Sequence, residues 1–218
     1  MNLSPRLLQL AEMIEKNKTV YDVGSDHALL PCFLMSNDIC PKVYAGEIAE
    51  GPLKRAKENI RRYGLEGKVI PVLGDGLQNA PDDVQIVVIA GMGYHTIRHI
   101  LEECDVSTYD YFILQCNSEV DKLRQYLSDR HYTIEDEKVV FDGFYYQIIR
   151  FSSAYHESYT PLQIKYGPLN LLKQEDVFRD YLQDLKEKLL KINVSANKEE
   201  YRQSISEIEA LLLYNFER

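Results

Sequence analysis

The feature that most constrains the fold is a short apolar strand that runs into an acidic glycine turn near the start of the chain. Residues 18–23 have the strand pattern, Gly24-Ser25-Asp26 leave it, and residues 28–35 continue as a helix. Glycine lets a ligand approach the backbone closely, and the start of a helix offers unpaired N–H groups. The stretch therefore predicts an open parallel sheet with a ligand crevice at the carboxyl ends of its strands.

Three further predicted strands also end in small or acidic residues. The second, residues 43–47, ends in Glu47, about twenty residues after the glycine turn, where doubly wound folds place a carboxylate for ribose hydroxyls. The third, residues 68–73, precedes Gly74-Asp75-Gly76, and the fourth, residues 86–90, precedes Gly91-Met92-Gly93. Because the carboxyl ends of parallel strands meet at one edge of a sheet, we expect these segments to line one crevice.

The first turn favours S-adenosylmethionine over a dinucleotide. A pyrophosphate site needs the pattern G-x-G-x-x-G, but a single glycine follows Asp22 and the turn is acidic. Such a turn suits a ligand with a cationic amino-acid end and an adenosine end. We expect Asp22 or Asp26 to face the amino group, Glu47 the ribose and Asp75 the adenine amino group. A nicotinamide-dependent oxidoreductase ranks lower because the phosphate-binding glycines are absent.

The middle of the chain completes an α/β fold. Residues 109–115 predict a fifth strand, residues 119–129 a helix, and residues 132–141 and 145–151 two strands around Asp142-Gly143, a strong hairpin signal. Five strands separated by helices and followed by a hairpin are typical of Rossmann-like class I methyltransferases. These have a seven-stranded, mostly parallel sheet whose last strand is antiparallel.

A polar stretch over residues 152–161 breaks the periodicity and predicts a domain boundary. We expect a Rossmann-like S-adenosylmethionine-binding domain over residues 1–155 and a helical domain over residues 156–218. In the second, apolar residues at 3–4 spacing predict two amphipathic helices interrupted at residues 193–197. They would pack as an antiparallel coiled-coil hairpin. A dimerisation arm is the alternative, although a monomer is expected.

Composition limits the other functional classes. The net charge of −9 argues against general nucleic-acid binding, so an RNA enzyme of this composition needs a local basic track. No apolar run reaches the ~18 residues of a membrane span, and a cytoplasmic location is expected. The four cysteines contain no C-x-x-C pair, which favours buried thiols over disulfides or zinc. His95 and His99 have a metal-binding spacing without a third ligand nearby, so no metal site is expected.

Six ordered motifs resemble one known family. They are residues 22–32, residues 45–47 with Gly51-Pro52, residues 74–77, residues 90–93 and residues 114–117. Together they resemble bacterial TrmK proteins over nearly the whole chain, including a helical C-terminal extension. The resemblance implies a tRNA (adenine-N1)-methyltransferase that acts at position 22 in the D-arm. Tyr94 and Cys116 depart from the family pattern, which usually has a glycine and a proline there.

The resemblance also implies how the reaction proceeds. The N1 lone pair of a flipped-out adenine would attack in line with the S–CH₃ bond, and positioning would supply most of the catalysis. Tyr94 would stack on the base and Asn117 would hydrogen-bond its edge. Asp26 and His27 would either form a catalytic dyad or hold the cofactor loop, and no certain general base is identified.

Arg6 is suggested by the resemblance to reach the cofactor carboxylate or a tRNA phosphate, with a solvated surface arginine as the alternative. The residues assigned to the cofactor are Arg6, Asp22, Gly24, Ser25, Asp26, His27, Glu47, Ile48, Gly74, Asp75, Gly76, Ala90, Gly91, Met92 and Gly93. Two groups of cations are candidates for binding tRNA: five between residues 54 and 62, and several on the first C-terminal helix. A solvated helix face is the plainer explanation of either group.

Two other functions remain open on the sequence alone. One is a Rossmann-like methyltransferase that acts on another RNA position or on a small molecule. The other is a non-catalytic protein that keeps the fold and binds RNA through its helical arm. Methylation of something other than tRNA adenine would favour the first, and absence of cofactor binding would favour the second.

Overall fold

A computed structural model of the chain describes residues 1–196 and 199–213, with the backbone alone for residues 193–196. Seven strands form one sheet in the order β3-β2-β1-β4-β5-β7-β6. The strands are β1 Val20–Val23, β2 Val43–Glu47, β3 Val69–Leu73, β4 Ile86–Met92, β5 Tyr111–Cys116, β6 Tyr132–Phe141 and β7 Tyr145–Tyr155. The predicted Rossmann-like methyltransferase sheet is confirmed, since β1 to β5 pair in parallel and β7 is antiparallel to β5.

Helices cover both faces of the sheet. In the first part of the chain they are α1 Pro5–Glu12, α2 Leu29–Ser36, α3 Glu50–Arg62, α4 Tyr94–Glu102, α5 Val120–Asp129, α6 Pro161–Tyr166 and α7 Pro168–Lys173. Alternate strand residues explain the two cores. Val20, Val43 and Ile113 face the side of α1, α2 and α3, whereas Tyr21 and Phe112 face the side of α4 and α5.

The predicted hairpin around Asp142-Gly143 is present, and the pairing of β7 with β5 places the hairpin turn beyond the end of β5. Gln115 of β5 pairs with Ile148 of β7, and β5 ends one residue later, at Cys116. Residues 145–146 and the turn before them therefore extend past the end of β5 at the carboxyl edge of the sheet. The turn is closed by a bond from the Asp142 N–H to the Phe144 carbonyl (2.8 Å), with Gly143 at φ +75°.

The two short helices that follow β7, α6 and α7, are held in place by contacts with a buried ion pair. The side chains of Arg124 and Glu137 are fully buried, and Nε lies 2.7 Å from Oε1. Glu137 Oε2 accepts the Leu169 N–H (2.9 Å), and Arg124 Nη2 donates to Gln147 Oε1 (2.6 Å). Gly167, at φ +96°, passes so close that a Cβ would lie 2.6 Å from Glu137 Oε2. The network thus ties residues 164–170 to α5 and β6.

Two compact units make up the chain, residues 1–171 and residues 172–218. The division lies further along than residue 155, where the sequence analysis places the domain boundary, because α6 belongs to the first unit through the contacts of Arg124. In the second unit α8 spans Asp176–Ala196 and α9 spans Glu199–Leu213. Arg179 donates to the Leu212 carbonyl (2.7 Å) and Lys186 pairs with Glu209 (2.8 Å), so the two helices are antiparallel.

The expected interruption at residues 193–197 falls partly on Asn197, which lies outside the described residues. The backbone of α8 is helical through Ala196. Coiled-coil packing of the pair stays a prediction. Within the described ranges, no helix has the length and apolar character needed to cross a membrane, and no cluster of three metal-binding side chains occurs.

Candidate active site

A cleft of about 470 Å³ opens at the carboxyl ends of β1, β4 and β5, where the sequence predicts the ligand crevice. Its lining residues are Arg6, Leu7, Asp22, Gly24, Ser25, Asp26, Leu29, Leu30, Ala90, Gly91, Met92, Asn117 and Tyr146. Nine of these are among the site residues expected from the sequence. The parallel strands bring them together because their carboxyl ends share one edge.

The turn after β1 forms the floor of the cleft in a strained conformation. Gly24 has φ +65°, which glycine adopts without strain, and a Cβ there would lie 2.5 Å from the Met92 methyl group and force that side chain to move. Asp26, His27 and Ala28 follow with φ values of 29°, 62° and 52°. Consecutive non-glycine residues in this region are uncommon and typical of functional loops. Ser25 fastens the turn by donating its N–H to the Gly46 carbonyl (3.0 Å).

Asp22 is a buried carboxyl group with a strongly perturbed titration. Burial raises its pKa to about 7. The Ser25 hydroxyl, which donates to Asp22 Oδ2 at 2.7 Å, opposes that rise, the charge of Glu47 adds to it, and the charge of Arg6 opposes it. A cation in the cleft would therefore gain a carboxylate partner that the protein itself leaves largely uncompensated.

Glu47 ends β2 with one carboxylate oxygen unused. The residue is buried, at 5% exposure, and its Oε1 has no hydrogen-bond partner among the described residues. Burial raises its pKa, while the Asp26 backbone N–H and the charges of Arg55 and His27 oppose this. A buried acceptor without a donor fits a ligand that supplies hydroxyl groups. Ile48 follows at 67% exposure and offers an apolar surface beside it.

A polar network at the ends of β4 and β5 orients Arg6. Arg6 Nη1 donates to the buried Gln115 Oε1 (2.6 Å), which also accepts the Gly91 N–H (3.1 Å). Gln115 Nε2 donates to Asn117 Oδ1 (2.9 Å), and Asn117 Nδ2 donates to the Gly91 carbonyl (2.7 Å). The Tyr146 ring lies 5.4 Å from the Arg6 guanidinium. The Gln115 side chain therefore orients both the Arg6 guanidinium and the Asn117 amide.

The residues after β3 and β4 are placed at the rim. The Gly74 N–H donates to the Glu47 carbonyl (2.9 Å), which brings the Gly74-Asp75-Gly76 turn next to Glu47. The Asp75 side chain is exposed, and its expected contact with adenine stays a prediction. Gly93 precedes α4 as its N-cap, outside the cleft lining.

Asp26 and His27 do not form a buried dyad. His27 Nε2 lies 3.5 Å from Asp26 Oδ1, and the two side chains are 44% and 80% exposed. The His27 carbonyl accepts a hydrogen bond from Asn59 (2.9 Å). This arrangement favours the loop-holding role over the catalytic one.

Tyr94 is not brought into the cleft. Its ring is 8% exposed and packs in the apolar cluster under α4. It lines a separate cleft of about 240 Å³ together with Arg98, Lys122, Tyr126 and others. In this conformation the ring offers no free face to a base in the larger cleft, so the expected stacking role stays a prediction without a contact to support it.

The two candidate basic tracks differ in how their charges are used. On α3, the side chains of Lys54, Arg55, Lys57, Arg61 and Arg62 are all exposed, although Arg61 bonds Glu66 (3.2 Å). On α8, Lys186 pairs with Glu209 and Lys188 with Asp184. The α3 track begins at Lys54, seven residues after Glu47, on the helix that follows β2.

Leu7, Leu29, Leu30, Tyr146 and Gln115 take part in the site without being expected there. Gln115 lies in the motif over residues 114–117, but its role depends on contacts with Arg6 and Gly91, which are distant in sequence. Tyr146 reaches the cleft through the register of the hairpin, for which the sequence carries no direct signal.

The chain is similar in sequence to known methyltransferases. A family described as "Methyltransferase domain" matches residues 3–149. The tRNA (adenine(22)-N(1))-methyltransferase of Bacillus subtilis is 35% identical over 153 residues, which are 68% of this chain and 64% of that protein, slightly under two thirds of its length.

Two solved structures are similar over almost the full chain. A Streptococcus pneumoniae protein described as a candidate tRNA (m1A22) methyltransferase, in complex with S-adenosyl-L-methionine, is 30% identical, with a TM-score of 0.88 and coverage of 97% of this chain and 100% of that one. M. capricolum TrmK in complex with S-adenosyl-homocysteine is 28% identical, with a TM-score of 0.81 and 96% coverage of both chains.

Proposed function

The chain belongs to the TrmK family of methyltransferase-domain proteins, and from that premise we propose that it methylates N1 of adenine 22 in tRNA, using S-adenosylmethionine. The observation that carries the proposal is the pair of buried carboxylates at the strand ends. The charge of Arg6 offsets only part of the effect of burying Asp22, and Glu47 Oε1 lacks a donor among the described residues. Ammonium and ribose hydroxyl groups are the partners that these two acids need.

The chain's own residues fit this cofactor group by group. Asp22 would hold the ammonium group, and Arg6, set by Gln115, would meet the carboxylate. Glu47 would accept hydrogen bonds from the ribose, with Ile48 against the adenine. When bound, S-adenosylmethionine supplies a methyl group on a positively charged sulfur. A pyrophosphate would instead face Asp22 and Asp26, and this disfavours a dinucleotide.

Positioning of the acceptor base is the remaining task of the chain. Neutral adenine N1 carries a lone pair and no proton, so no general base is needed before transfer. Asn117 suits the base edge because its amide donates one N–H to the Gly91 carbonyl and accepts one hydrogen bond from Gln115. Among the described residues this leaves one N–H and one lone pair for a ligand. Removing the base from its stack costs a few kcal/mol, which contacts elsewhere on the RNA must offset.

The RNA would be bound through the α3 track. The protein carries a net charge of −9, so its affinity for phosphates depends on a local cluster of cations. The cations of α3, the helix that follows β2 and Glu47, are exposed, whereas the Lys186 and Lys188 charges of α8 are paired with acids. We expect a monomer that acts in the cytoplasm, where tRNA is found.

Mass spectrometry of nucleosides tests the function directly. An unmodified tRNA transcript is incubated with S-adenosylmethionine and the protein, and a second transcript carries guanine in place of adenine 22. The wild type should form 1-methyladenosine in the first transcript and not in the second. Glu47→Ala should abolish the product, while Glu50→Ala, an exposed acid on the next helix, should leave it unchanged.

Other outcomes discriminate between the alternatives. Equal product from both transcripts would move the activity to another adenine. No product, with cofactor binding seen by calorimetry, would favour a different substrate, and no cofactor binding would favour a non-catalytic RNA-binding protein.

A further inference from the structure

The projecting end of the β6–β7 hairpin carries an unusual density of aromatic rings. Phe141, Phe144, Tyr145 and Tyr146 occupy four of the six positions from 141 to 146, a segment called here the aromatic tip. Phe144 is 72% exposed and Phe141 is 54% exposed. Exposed apolar residues are common singly, but a contiguous group next to a cleft marks an interaction site.

The aromatic tip is continuous with the cleft. Tyr146 is part of the cleft lining, and Asp142 accepts a hydrogen bond from the Arg6 backbone N–H (3.4 Å). Because residues 145 and 146 extend past the end of β5, the tip lies beyond this strand at the carboxyl edge of the sheet. A molecule that enters the cleft from this side therefore passes the rings.

The backbone of the tip is held by a closed turn and a ring contact. Gly143 and the bond from the Asp142 N–H to the Phe144 carbonyl close the turn. The Phe141 and Tyr145 rings pack on each other with centroids 5.0 Å apart. The Phe144 backbone is thus held by the turn while its ring remains in solvent, so a flat partner that covers the ring needs to order only one side chain and not the loop.

We propose that the aromatic tip is a stacking platform for an unpaired nucleobase of the RNA substrate, next to the base that enters the cleft. The inference rests on the proposed function. The Asp142 carboxylate beside the rings disfavours phosphate contact, which leaves the faces of the bases as the partner. Stacking on aromatic side chains is the usual means of holding splayed bases, and it suits an acidic protein because it needs no positive charge.

Tryptophan fluorescence tests the contact without relying on activity. The chain contains no tryptophan, so Phe144→Trp introduces a single indole at the tip. Tyr155→Trp is the matched control, because Tyr155 lies at the other end of β7 and is 75% exposed. An unmodified tRNA transcript should quench the Phe144→Trp emission and leave the Tyr155→Trp emission unchanged. Equal quenching in both variants, or in neither, would overturn the platform.

Kinetics then separates stacking from a general apolar contact. Phe144→Ala should lower kcat/KM for tRNA by about 5- to 150-fold, the effect of losing one base–aromatic stack. Phe144→Tyr should restore most of it, and Phe144→Leu should not. The affinity for S-adenosylhomocysteine should stay within twofold of the wild type in all three, which also reports that they are folded.

The outcomes keep this proposal apart from the function itself. If the wild type methylates adenine 22 but Phe144→Ala retains full kcat/KM, the platform is refuted and the function stands. If the wild type forms no 1-methyladenosine while Phe144→Trp is still quenched, the function is refuted and the platform stands. A change of Phe144→Trp emission with protein concentration alone would assign the tip to contact between copies and refute the proposal.

Discussion

Asp22→Asn should make the folded chain more stable at neutral pH. Burial is the main cause that raises the pKa of Asp22 from 3.8 to about 7. The Ser25 hydroxyl and the charge of Arg6 oppose this rise, and the charge of Glu47 adds to it. Between these values the folded chain binds more protons than the unfolded chain, so the free energy of unfolding falls as the pH rises. Asparagine fills the same space, can accept the bond from Ser25, and carries no charge to bury.

The interval from 3.8 to about 7 corresponds to about 4 kcal/mol of unfolding free energy. Urea unfolding at pH 5 and pH 8, followed by circular dichroism, covers the upper part of that interval. The stability of Asp22→Asn relative to the wild type should rise by about 2 to 3 kcal/mol between the two conditions. A difference between the proteins that is the same at both pH values would refute the assignment of a buried, perturbed carboxyl group.

The same substitution should remove the pH dependence of cofactor binding. An ammonium group needs the ionised carboxylate, so the wild-type affinity for S-adenosylhomocysteine should rise by up to about tenfold per pH unit from pH 5 to pH 7. The Asp22→Asn affinity should be weaker and flat over this range. Isothermal titration calorimetry measures both profiles. A variant that keeps the wild-type profile would show that Asp22 does not meet the amino group.

Gln115→Leu should weaken cofactor affinity about tenfold or more, because the hydrogen bond between Gln115 and the charged Arg6 guanidinium is lost. Unchanged affinity in calorimetry would mean that Gln115 does not orient Arg6 toward the cofactor. Gly167→Ala should lower the free energy of unfolding by about 3 kcal/mol or more, since it disrupts a buried ion pair. The control Gly67→Ala has a similar positive φ and nothing within 4 Å of the added Cβ, so an equal loss in both would refute the clash. Lys54→Gln should reduce the slope of log affinity for tRNA against log salt concentration by about 1. Lys188→Gln should leave this slope unchanged, because Lys188 is already paired with Asp184 on α8. The reverse result would assign tRNA binding to the helical arm.

The position of the cleft was accessible to sequence reasoning because it follows from chain direction alone. Asp22, Gly24 and Gly91 end different strands, and parallel strands bring such ends to one edge whatever the packing between them. The expected class of cofactor followed from charge, since an acidic turn with a single glycine disfavours a pyrophosphate. These inferences need only topology and composition.

Side-chain direction and long-range contact were beyond the same reasoning. Tyr94 is the first residue of α4, and the periodicity of a helix does not say whether its first ring turns into the core or the cleft. Tyr146 depends on the register between β5 and β7. The helices α6 and α7 have six residues each, too few to be stable alone, and they exist through the Arg124–Glu137 pair, whose partners lie in other elements.

The position of β7 in the sheet has a consequence for how the chain assembles in time. Although β7 comes last in the sequence, it lies between β5 and β6, so β6 joins the sheet only through its partner. Hairpins between neighbouring segments form in about 1–10 microseconds, and we expect this one to form first and to dock on β5 as a unit. Asp142 and Tyr146 reach Arg6 only in that docking step. A nascent chain that ends at β5 would thus carry both acids of the cofactor site but not yet the wall that encloses them.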